Sequence, residues 1–391
     1  MMNDKCPICE AKTLGFLQRD QVPVHQNLVF VEHIAAQKAV RGDLLMQVCE
    51  SCGFVHNRAF DPSLLSYGDH YNNCQSCSPF FDQYLDGLVE YLVEKQGVRN
   101  CQIVEIGCGK NADFLKKLLN YPSANNKGVG FDPSYTGNGS ELEGRLIVYP
   151  RYYDDSCSDV IADVVICRHV IEHVADPLVL LRSVRVALKN NPNAKIFFET
   201  PCVDWILKNK VVWDFFYEHC SLFNSHSLCL AFELAGFSVV KIDHVFGGQY
   251  LWLEARLTEE KKLNSSNHHA SSELAQQYGA AIHERTTQWK NKLLSLATQG
   301  PVALWGAGAK GATLASLIDA DGEIIDCIVD LNPGKQGCYL PGSAHLIVSP
   351  HELKARKVKA AILMNPNYRA ENIALLAELN IEIALIDLEE I

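Results

Sequence analysis

The sequence lacks long apolar runs and an apolar leader. Its longest apolar runs, such as Val164–Cys167 and Val302–Trp305, fall far short of the roughly 20 residues that span a bilayer. Met1–Glu10 carries polar residues and two cysteines where a secretory leader has an apolar core. The sequence therefore predicts no membrane partner and a cytoplasmic location.

Basic residues are also fewer than acidic ones. The 391 residues include 35 Lys and Arg against 46 Asp and Glu, which gives a formal net charge of −11 at pH 7. A nucleic-acid backbone would meet net repulsion, and no local basic cluster offsets it, so we expect no nucleic-acid partner. With 48% hydrophobic and 21% charged residues, the chain is an ordinary globular mixture, long enough for two or three separately cored domains.

Cysteine is the residue type in excess. Fifteen cysteines are many for a protein without secretion, and the odd number argues against a disulfide framework. Cys6 and Cys9 form one Cys-x-x-Cys pair, and Cys49 and Cys52 form another after 39 intervening residues. Paired two-residue gaps suit one tetrahedral four-cysteine zinc site. Residues 1–60 are therefore predicted to be a small zinc-binding module.

The remaining sequence alternates between strand and helix patterns. Residues 61–98 end in an amphipathic helix that starts at Ser78 and bridges to the next domain. Alternating strands and helices at 99–256 predict a parallel doubly wound sheet. A polar linker follows at 257–272, and a second α/β domain occupies 273–391. The predicted strands are 103–106, 128–131, 164–167, 195–199, 302–305, 327–329 and 360–364, and the predicted helices are 111–119, 177–188, 272–297 and 311–318.

A glycine-rich turn follows the first strand of the 99–256 domain. Glu105-x-Gly107-x-Gly109 stands between a predicted strand and a predicted helix, where the backbone approaches a ligand and helix N–H groups face it. Asp132 ends the next strand, where a carboxylate accepts hydrogen bonds from ribose hydroxyls. The pair predicts a site for a nucleoside-containing cofactor.

Two further polar segments follow later strands of the same sheet. Arg168, His169 and His173 come after one strand, and the run Tyr217–His219 comes after another. The carboxyl ends of the strands are where such sheets bind ligands. Burial of consecutive Tyr, Glu and His residues is costly unless each has a partner. Hydrogen-bonded structural roles remain the alternative for His169 and His173.

The order of these motifs resembles that of the deoxysugar C-methyltransferases, which methylate nucleotide-linked 4-keto-sugars. The paired cysteine motifs, Glu-x-Gly-x-Gly and Glu-His-x-x-x-Phe occur in that order, and the segments beginning at Trp305 and Val329 are also similar to family motifs. The resemblance spans essentially the whole chain. It implies a class I methyltransferase (Rossmann-like) α/β core between an N-terminal zinc module and a C-terminal Rossmann-like α/β domain. It also implies S-adenosylmethionine as cofactor, structural Zn²⁺, a nucleotide-sugar-like substrate, and a monomer or homodimer.

The resemblance further assigns residues to roles. The implied catalytic residues are His219, Glu218, His173, Tyr71 and Tyr217, and the implied cofactor-binding residues are Glu105, Gly107, Gly109, Asp132, Arg168 and His169. His219 is the implied base, since an imidazole with a pKa near ~6.5 removes a proton α to a carbonyl at neutral pH. Glu218 orients or hydrogen-bonds the substrate, and His173 stabilises the enolate or binds the sugar.

The chain departs from the family at two motifs, of which one is the family's His-Gly-Gly-Ser, read here as Phe246-Gly247-Gly248-Gln249. The family's Tyr-His-Glu-His is Phe216-Tyr217-Glu218-His219 here, so Tyr217 stands beside the missing first tyrosine. The tyrosine after the zinc module is Tyr67 or Tyr71, of which Tyr71 is preferred. These changes indicate a divergent subgroup with its own substrate.

The C-terminal domain carries a second nucleotide-type turn. Gly306-x-Gly308 follows a predicted strand, and Asp330 ends the next one. The third glycine of a dinucleotide site is missing, and Lys310 at the helix start favours a phosphate. The resemblance implies that this domain closes over the nucleotide-sugar, with Lys310 and Lys335 as local cations; a purely structural domain is the alternative.

Two other functions remain open. One is O- or N-methylation of another small metabolite, for which His219 would deprotonate a hydroxyl. The other is a non-catalytic, zinc-stabilised binding protein with a vestigial cofactor pocket.

Overall fold

The computed structural model describes residues 5–66, 71, 78–157, 159–258 and 270–387, which form three β-sheets. Tyr67 and most of the predicted 257–272 linker lie outside this set. None of the helices described is both long and apolar enough to cross a membrane. The strands are β1 (Thr13–Pro23), β2 (Arg41–Cys49), β3 (Val55–Asn57), β4 (Gln102–Ile106), β5 (Lys127–Phe131), β6 (Ser140–Glu141), β7 (Leu146–Tyr149), β8 (Val164–Arg168), β9 (Lys195–Pro201), β10 (Ser221–Leu222), β11 (Phe237–Val245), β12 (Tyr250–Leu257), β13 (Val302–Trp305), β14 (Ile325–Val329), β15 (Ile347–Val348), β16 (Ala360–Leu363) and β17 (Ala384–Ile386). The helices are α1 (His33–Gln37), α2 (Pro79–Glu90), α3 (Asp113–Asn120), α4 (Pro177–Ala187), α5 (Val203–Lys208), α6 (Ser225–Leu234), α7 (Ala270–Ala297), α8 (Ala309–Ile318) and α9 (Arg369–Glu378).

The first sheet has the order β1-β2-β3-β10 and is antiparallel. Its first three strands come from the N-terminal module, and its fourth comes from a segment more than 150 residues further along the chain. Ser221 of β10 pairs with His56 of β3. The N-terminal module therefore shares a sheet with the segment that follows His219.

The second sheet has eight strands in the order β11-β12-β9-β8-β4-β5-β7-β6. Strands β4, β5, β7, β8 and β9 are parallel, as expected. The prediction of a wholly parallel sheet was incomplete, because β12 runs antiparallel to β9 and β11 antiparallel to β12. Gly247 and Gly248, with φ of +65° and +85°, form the tight turn between β11 and β12, and so short a connection joins only antiparallel strands.

The third sheet is parallel, in the order β15-β14-β13-β16-β17. Helix α7, 28 residues long, packs one apolar face both on this domain and on the N-terminal sheet. The spacing of Ala275, Tyr278, Ile282 and Trp289 along that face is helical. The ring centroids of Trp289 and Trp213 lie 5.1 Å apart. Helix α7 therefore also packs against the segment that leads to His219.

Helix starts follow from local capping. Ser78 Oγ accepts a hydrogen bond from Phe81 N at the start of α2, and Asp176 accepts one from Val179 N at the start of α4. Pro79 and Pro177 occupy the first helical position, where no N–H is required. These signals are local, which is why both helices begin within one residue of the predicted positions.

Candidate active site

Two cavities meet at the carboxyl ends of β4, β8 and β9. The smaller, of about 170 Å³, is lined by all six residues predicted to bind the cofactor: Glu105, Gly107, Gly109, Asp132, Arg168 and His169. The larger, of about 300 Å³, lies between the second and third sheets, and Tyr71, His173, His219, Lys310 and Lys335 are among the residues that line it. His169 lines both cavities, so ligands in the two would meet there.

The glycine-rich turn leaves space beside its backbone. Gly107 and Gly109 have φ of +71° and +74°, which favour glycine. A Cβ atom at Gly107 would collide with Val170, whereas one at Gly109 would meet open space. Gly109 N donates to Asp132 Oδ2 at 2.8 Å, which ties the turn to the end of β5. The turn is thus a preformed cradle with room for a ligand.

Glu105 and Arg168 place unsatisfied polar atoms at the smaller cavity. Both side chains are buried, and neither Glu105 Oε2 nor Arg168 Nη2 has a hydrogen-bond partner in the part of the chain described. Burial raises the pKa of Glu105 to about 8, although the nearby Arg168 charge opposes the rise. Unsatisfied buried groups cost free energy, which a polar ligand in this cavity would recover.

His169 is held between two buried carboxylates in a left-handed backbone conformation, with φ of +54°. Its Nδ1 lies 3.4 Å from Glu172 Oε1, and its Nε2 lies 3.2 Å from Glu199 Oε1. Burial alone would favour the neutral ring, but hydrogen bonds and Coulomb attraction from the two carboxylates outweigh it and raise the pKa of His169 to about 9. Its imidazole is therefore cationic at neutral pH and is not available as a base.

Glu199 accepts from several groups at the end of β9. Arg168 Nε donates to its Oε2 at 2.8 Å, and Tyr84 Oη donates to its Oε1 at 2.9 Å. Burial favours the protonated carboxyl, but the charges of Arg168 and His169 outweigh burial and lower the pKa of Glu199 to about 2. The ionised Glu199 carboxylate therefore holds Arg168 and His169, which line the smaller cavity, in place.

His219 and His173 face each other in the larger cavity. Their ring centroids lie 4.8 Å apart at an interplanar angle of 87°. Burial, followed by the charges of His173, His169 and Lys310, lowers the pKa of His219 well below its usual value. The His219 ring is therefore neutral at neutral pH, which is the form that accepts a proton, while the same shift makes it a weaker base than a free imidazole. Ligand atoms of Glu172, His173 and His219 all lie within 4.8 Å of one another, so this group could also hold a metal ion.

Tyr217 and Glu218 point away from both cavities, towards the N-terminal module. Asp61 N donates to Tyr217 Oη at 2.8 Å, and the Tyr217 ring lies 5.3 Å from that of Phe60. Glu218 is fully buried, and its carboxylate contacts His25 and the backbone of Gln26. The structure thus brings His219, His173 and Tyr71 together at the larger cavity and leaves Tyr217 and Glu218 behind its wall.

Lysines and a glycine turn line the far side of the larger cavity. Lys310 Nζ lies 3.2 Å from Asp214 Oδ1, and Lys335 Nζ donates to Ala307 O at 3.0 Å. The N-terminus of α8 and the Gly306-x-Gly308 turn open onto the same space. Gln249, noted in the sequence only as a departure from a family motif, also lines this cavity. Sequence reasoning missed Asp214, Asn365 and Asn372, because they follow separate elements and carry no motif.

The four cysteines of the N-terminal module converge. The Sγ separations are 3.7 Å for Cys6 and Cys52, 3.4 Å for Cys9 and Cys49, and 3.6 Å for Cys9 and Cys52. Tetrahedral ligation at ~2.3 Å requires sulfur separations of about 3.8 Å. Backbone N–H groups also donate to the sulfurs, such as Ile8 N to Cys6 Sγ at 3.4 Å. The set fits a zinc ion.

Known proteins resemble this chain in both of its larger parts. A family model described as a methyltransferase domain matches residues 80–242, and one described as a C-methyltransferase C-terminal domain matches residues 253–382. C-methyltransferase NovU from Streptomyces niveus is 26% identical over 392 residues, covering 94% of this chain and 91% of that protein.

Solved structures also match part of the chain. One is the 1,6-didemethyltoxoflavin-N1-methyltransferase of Burkholderia thailandensis, with bound S-adenosylhomocysteine, at 14% identity and a TM-score of 0.34 over 46% of this chain and 81% of that one. Another is an S-adenosylmethionine-dependent methyltransferase from Mesorhizobium loti, at 15% identity and a TM-score of 0.33 over 44% of this chain and 99% of that one.

Proposed function

Because the chain is an S-adenosylmethionine-dependent methyltransferase of the C-methyltransferase family, we propose that it methylates a carbon atom of a nucleotide-linked keto-deoxysugar, with His219 as the base. The observation that carries this proposal is the neutral His219 imidazole in a cavity that adjoins the cofactor cradle at His169.

The smaller cavity fits S-adenosylmethionine, which supplies an electrophilic methyl group when bound. Asp132 directly follows β5, where a carboxylate suits ribose hydroxyls. The unsatisfied Glu105 Oε2 and Arg168 Nη2 suit the charged and polar groups of the cofactor's amino acid end. Gly107 and Gly109 let the backbone approach it closely.

The larger cavity supplies the chemistry of proton removal. A neutral His219 accepts the proton from a substrate carbon next to a carbonyl. The C–H electron pair then delocalises onto the carbonyl oxygen, and the substrate becomes an enolate. His173, beside His219, is placed to hydrogen-bond the developing enolate oxygen. With S-adenosylmethionine bound, the deprotonated carbon would form a C–C bond to the methyl group as the S–CH3 bond breaks, and the electron pair of the S–CH3 bond would stay on the sulfur of the departing S-adenosylhomocysteine.

Charge at the far end of the cavity supports this substrate class. The N-terminus of α8, Lys310 and Lys335 lie together there within an acidic protein. Helix N-termini and lysines favour phosphate groups. A diphosphate held by these groups would leave its attached sugar near His219.

The four-cysteine cluster would hold a structural zinc ion. Its sulfurs lie in the N-terminal module, whereas the proposed base lies in the larger cavity between the second and third sheets. We assign zinc no part in proton removal or methyl transfer.

Product analysis tests the proposal. The protein is incubated with S-adenosylmethionine labelled with ¹³C in its methyl group and with a series of nucleotide-linked 4-keto-deoxysugars. A new C–CH3 resonance supports the proposal, whereas an O–CH3 or N–CH3 resonance supports methylation of oxygen or nitrogen. Calorimetric titration of the zinc-loaded protein with S-adenosylmethionine tests the binding-protein alternative, which predicts no heat of binding.

A further inference from the structure

The N-terminal module holds the chain on both sides of His219. Upstream, the half-buried Arg19 donates from Nη1 to Phe215 O at 3.0 Å and from Nη2 to Val212 O at 2.7 Å. Downstream, Asn57 N donates to Cys220 O at 2.9 Å, and Ser221 pairs with His56. The backbone around the proposed base is therefore set by contacts with the N-terminal module.

Glu218, the residue before His219, is fully buried, and its carboxylate contacts that module. It is 0% exposed, and its Oε2 accepts from Gln26 N at 2.9 Å. Its Oε1 lies 3.2 Å from His25 Nδ1, and the His25 side chain is 5% exposed. A buried carboxylate needs such donors, because its desolvation is costly without them.

The tautomer of His25 follows from its second contact. Ser66 N donates to His25 Nε2 at 2.9 Å, so Nε2 is the acceptor nitrogen. The ring proton is then on Nδ1, where it donates to Glu218 Oε1. A directed series of hydrogen bonds thus runs from Ser66 N–H through the His25 ring to Glu218.

We infer that His25 is a positioning residue for the reaction: by donating from Nδ1 to Glu218, it fixes the backbone and the imidazole of His219. His25 does not line the larger cavity, so it acts through Glu218 and not by touching the substrate. Its ring also packs edge-on against that of Tyr71, with the centroids 6.0 Å apart. The inference rests on the proposed role of His219 as base. Displacement of a reacting group by ~1 Å costs about 100-fold in rate, which sets the scale of the effect.

Two near-isosteric substitutions test the roles of the two ring nitrogens of His25 one at a time. In His25→Asn, the side-chain amide nitrogen occupies the place of Nδ1 and donates to Glu218. In His25→Gln, the amide oxygen reaches the place of Nε2 and accepts from Ser66 N, but no donor faces Glu218. His25→Ala supplies neither group. His283→Asn on the exposed side of α7 is the matched control.

The experiment measures kcat and KM for both substrates in zinc-loaded, full-length protein, with melting temperature and zinc content as checks. We expect His25→Ala and His25→Gln to lose kcat about 10- to 100-fold while both KM values stay within about twofold. His25→Asn keeps most of the wild-type kcat. Glu218→Gln loses kcat like His25→Ala, and the double variant loses little more than either single one, since the two residues act as a unit.

Three results overturn the inference: wild-type kcat in His25→Ala, equal losses in His25→Asn and His25→Gln, or losses that follow melting temperature alone. If His25→Ala does not fold, Glu218→Gln decides by the same kcat and KM readout. The proposed function is read separately in His219→Asn. If His219→Asn still turns over substrate, His219 is not the base. If His219→Asn is inactive and His25→Ala is fully active, only the positioning role of His25 is overturned.

Discussion

The rings of His173 and His219 stand nearly perpendicular, with centroids 4.8 Å apart, in the cavity that adjoins the cofactor cradle. After burial, the nearby His173 is the next cause of the lowered pKa of His219, which favours a neutral His219 ring. A pair of this kind suits a reaction in which one ring accepts a proton and the other hydrogen-bonds an oxygen.

Replacement of the proposed base should stop turnover without affecting the cofactor. His219→Asn removes the proton acceptor, and we expect kcat to fall about 100- to 10,000-fold. The dissociation constant for S-adenosylmethionine should stay near the wild-type value, because His219 lines the larger cavity and not the smaller one. Initial rates and calorimetric titration test both parts. Loss of cofactor binding in a folded variant would place His219 in the cofactor site instead.

The Glu105 carboxyl should lower the stability of the cofactor-free protein and strengthen cofactor binding. Burial raises its pKa to about 8 in the folded chain, so between about pH 4.5 and 8 the unfolded chain has lost a proton that the folded chain keeps. Stability therefore falls as pH rises through this window, by about 3 kcal/mol at pH 7. Glu105→Gln removes that cost, so it should raise the melting temperature of the cofactor-free protein while weakening S-adenosylmethionine binding. A variant that is less stable at pH 7 would contradict the assignment.

Unlike Glu105, the His169–Glu199 pair should stabilise the folded chain at neutral pH, and this stabilisation should fall as the pH is lowered. The lowered pKa of Glu199, about 2, makes its contribution present above about pH 4.5 and lost as pH falls towards 2. The raised pKa of His169, about 9, makes its contribution present below about 6.5 and lost as pH rises through 9. Glu199→Gln should cost about 3 kcal/mol at pH 7, with a smaller difference near pH 10.

Denaturation of the Glu199→Gln variant at several pH values measures these differences. Glu94→Gln is the matched control, because the Glu94–Arg99 pair is partly exposed and solvent screens the attraction between its charges. A pH-independent difference at Glu199 would show that the loss comes from packing alone.

Loss of one zinc ligand should affect the distant cavity. Cys49→Ser should release the metal and lower the melting temperature, since a structural zinc ion contributes folding free energy directly. Turnover should fall as well, because the N-terminal sheet includes β10 next to His219. Metal analysis, thermal denaturation and rates test these effects, with Cys229→Ser in α6 as control. Full metal content in Cys49→Ser would refute the four-thiolate site.

Lys310 should act on substrate binding. Lys310→Gln removes a cation at the proposed diphosphate position, so we expect KM for the nucleotide-sugar to rise about 10- to 100-fold with a smaller change in kcat. Steady-state kinetics measure this, with Lys290→Gln on the exposed side of α7 as control. An unchanged KM would place the phosphates elsewhere.

The sequence by itself determined the elements whose signals are local. Apolar periodicity and strand–helix alternation predicted α2, α3, α4, α7 and α8 near their observed starts. The Glu-x-Gly-x-Gly turn with Asp132 predicted residues that line one cavity. The cysteine spacing predicted four sulfurs that do converge. Each of these depends on residues close in the chain or on a short repeated motif.

Only the tertiary structure decided which polar side chains share a cavity. Tyr217, Glu218 and His219 are consecutive, yet His219 lines the cavity while its two neighbours face the N-terminal module. The pairing of Ser221 with His56 and the contact of Glu218 with His25 join residues more than 150 positions apart. No sequence period encodes such contacts, because they arise from the burial of one module against another.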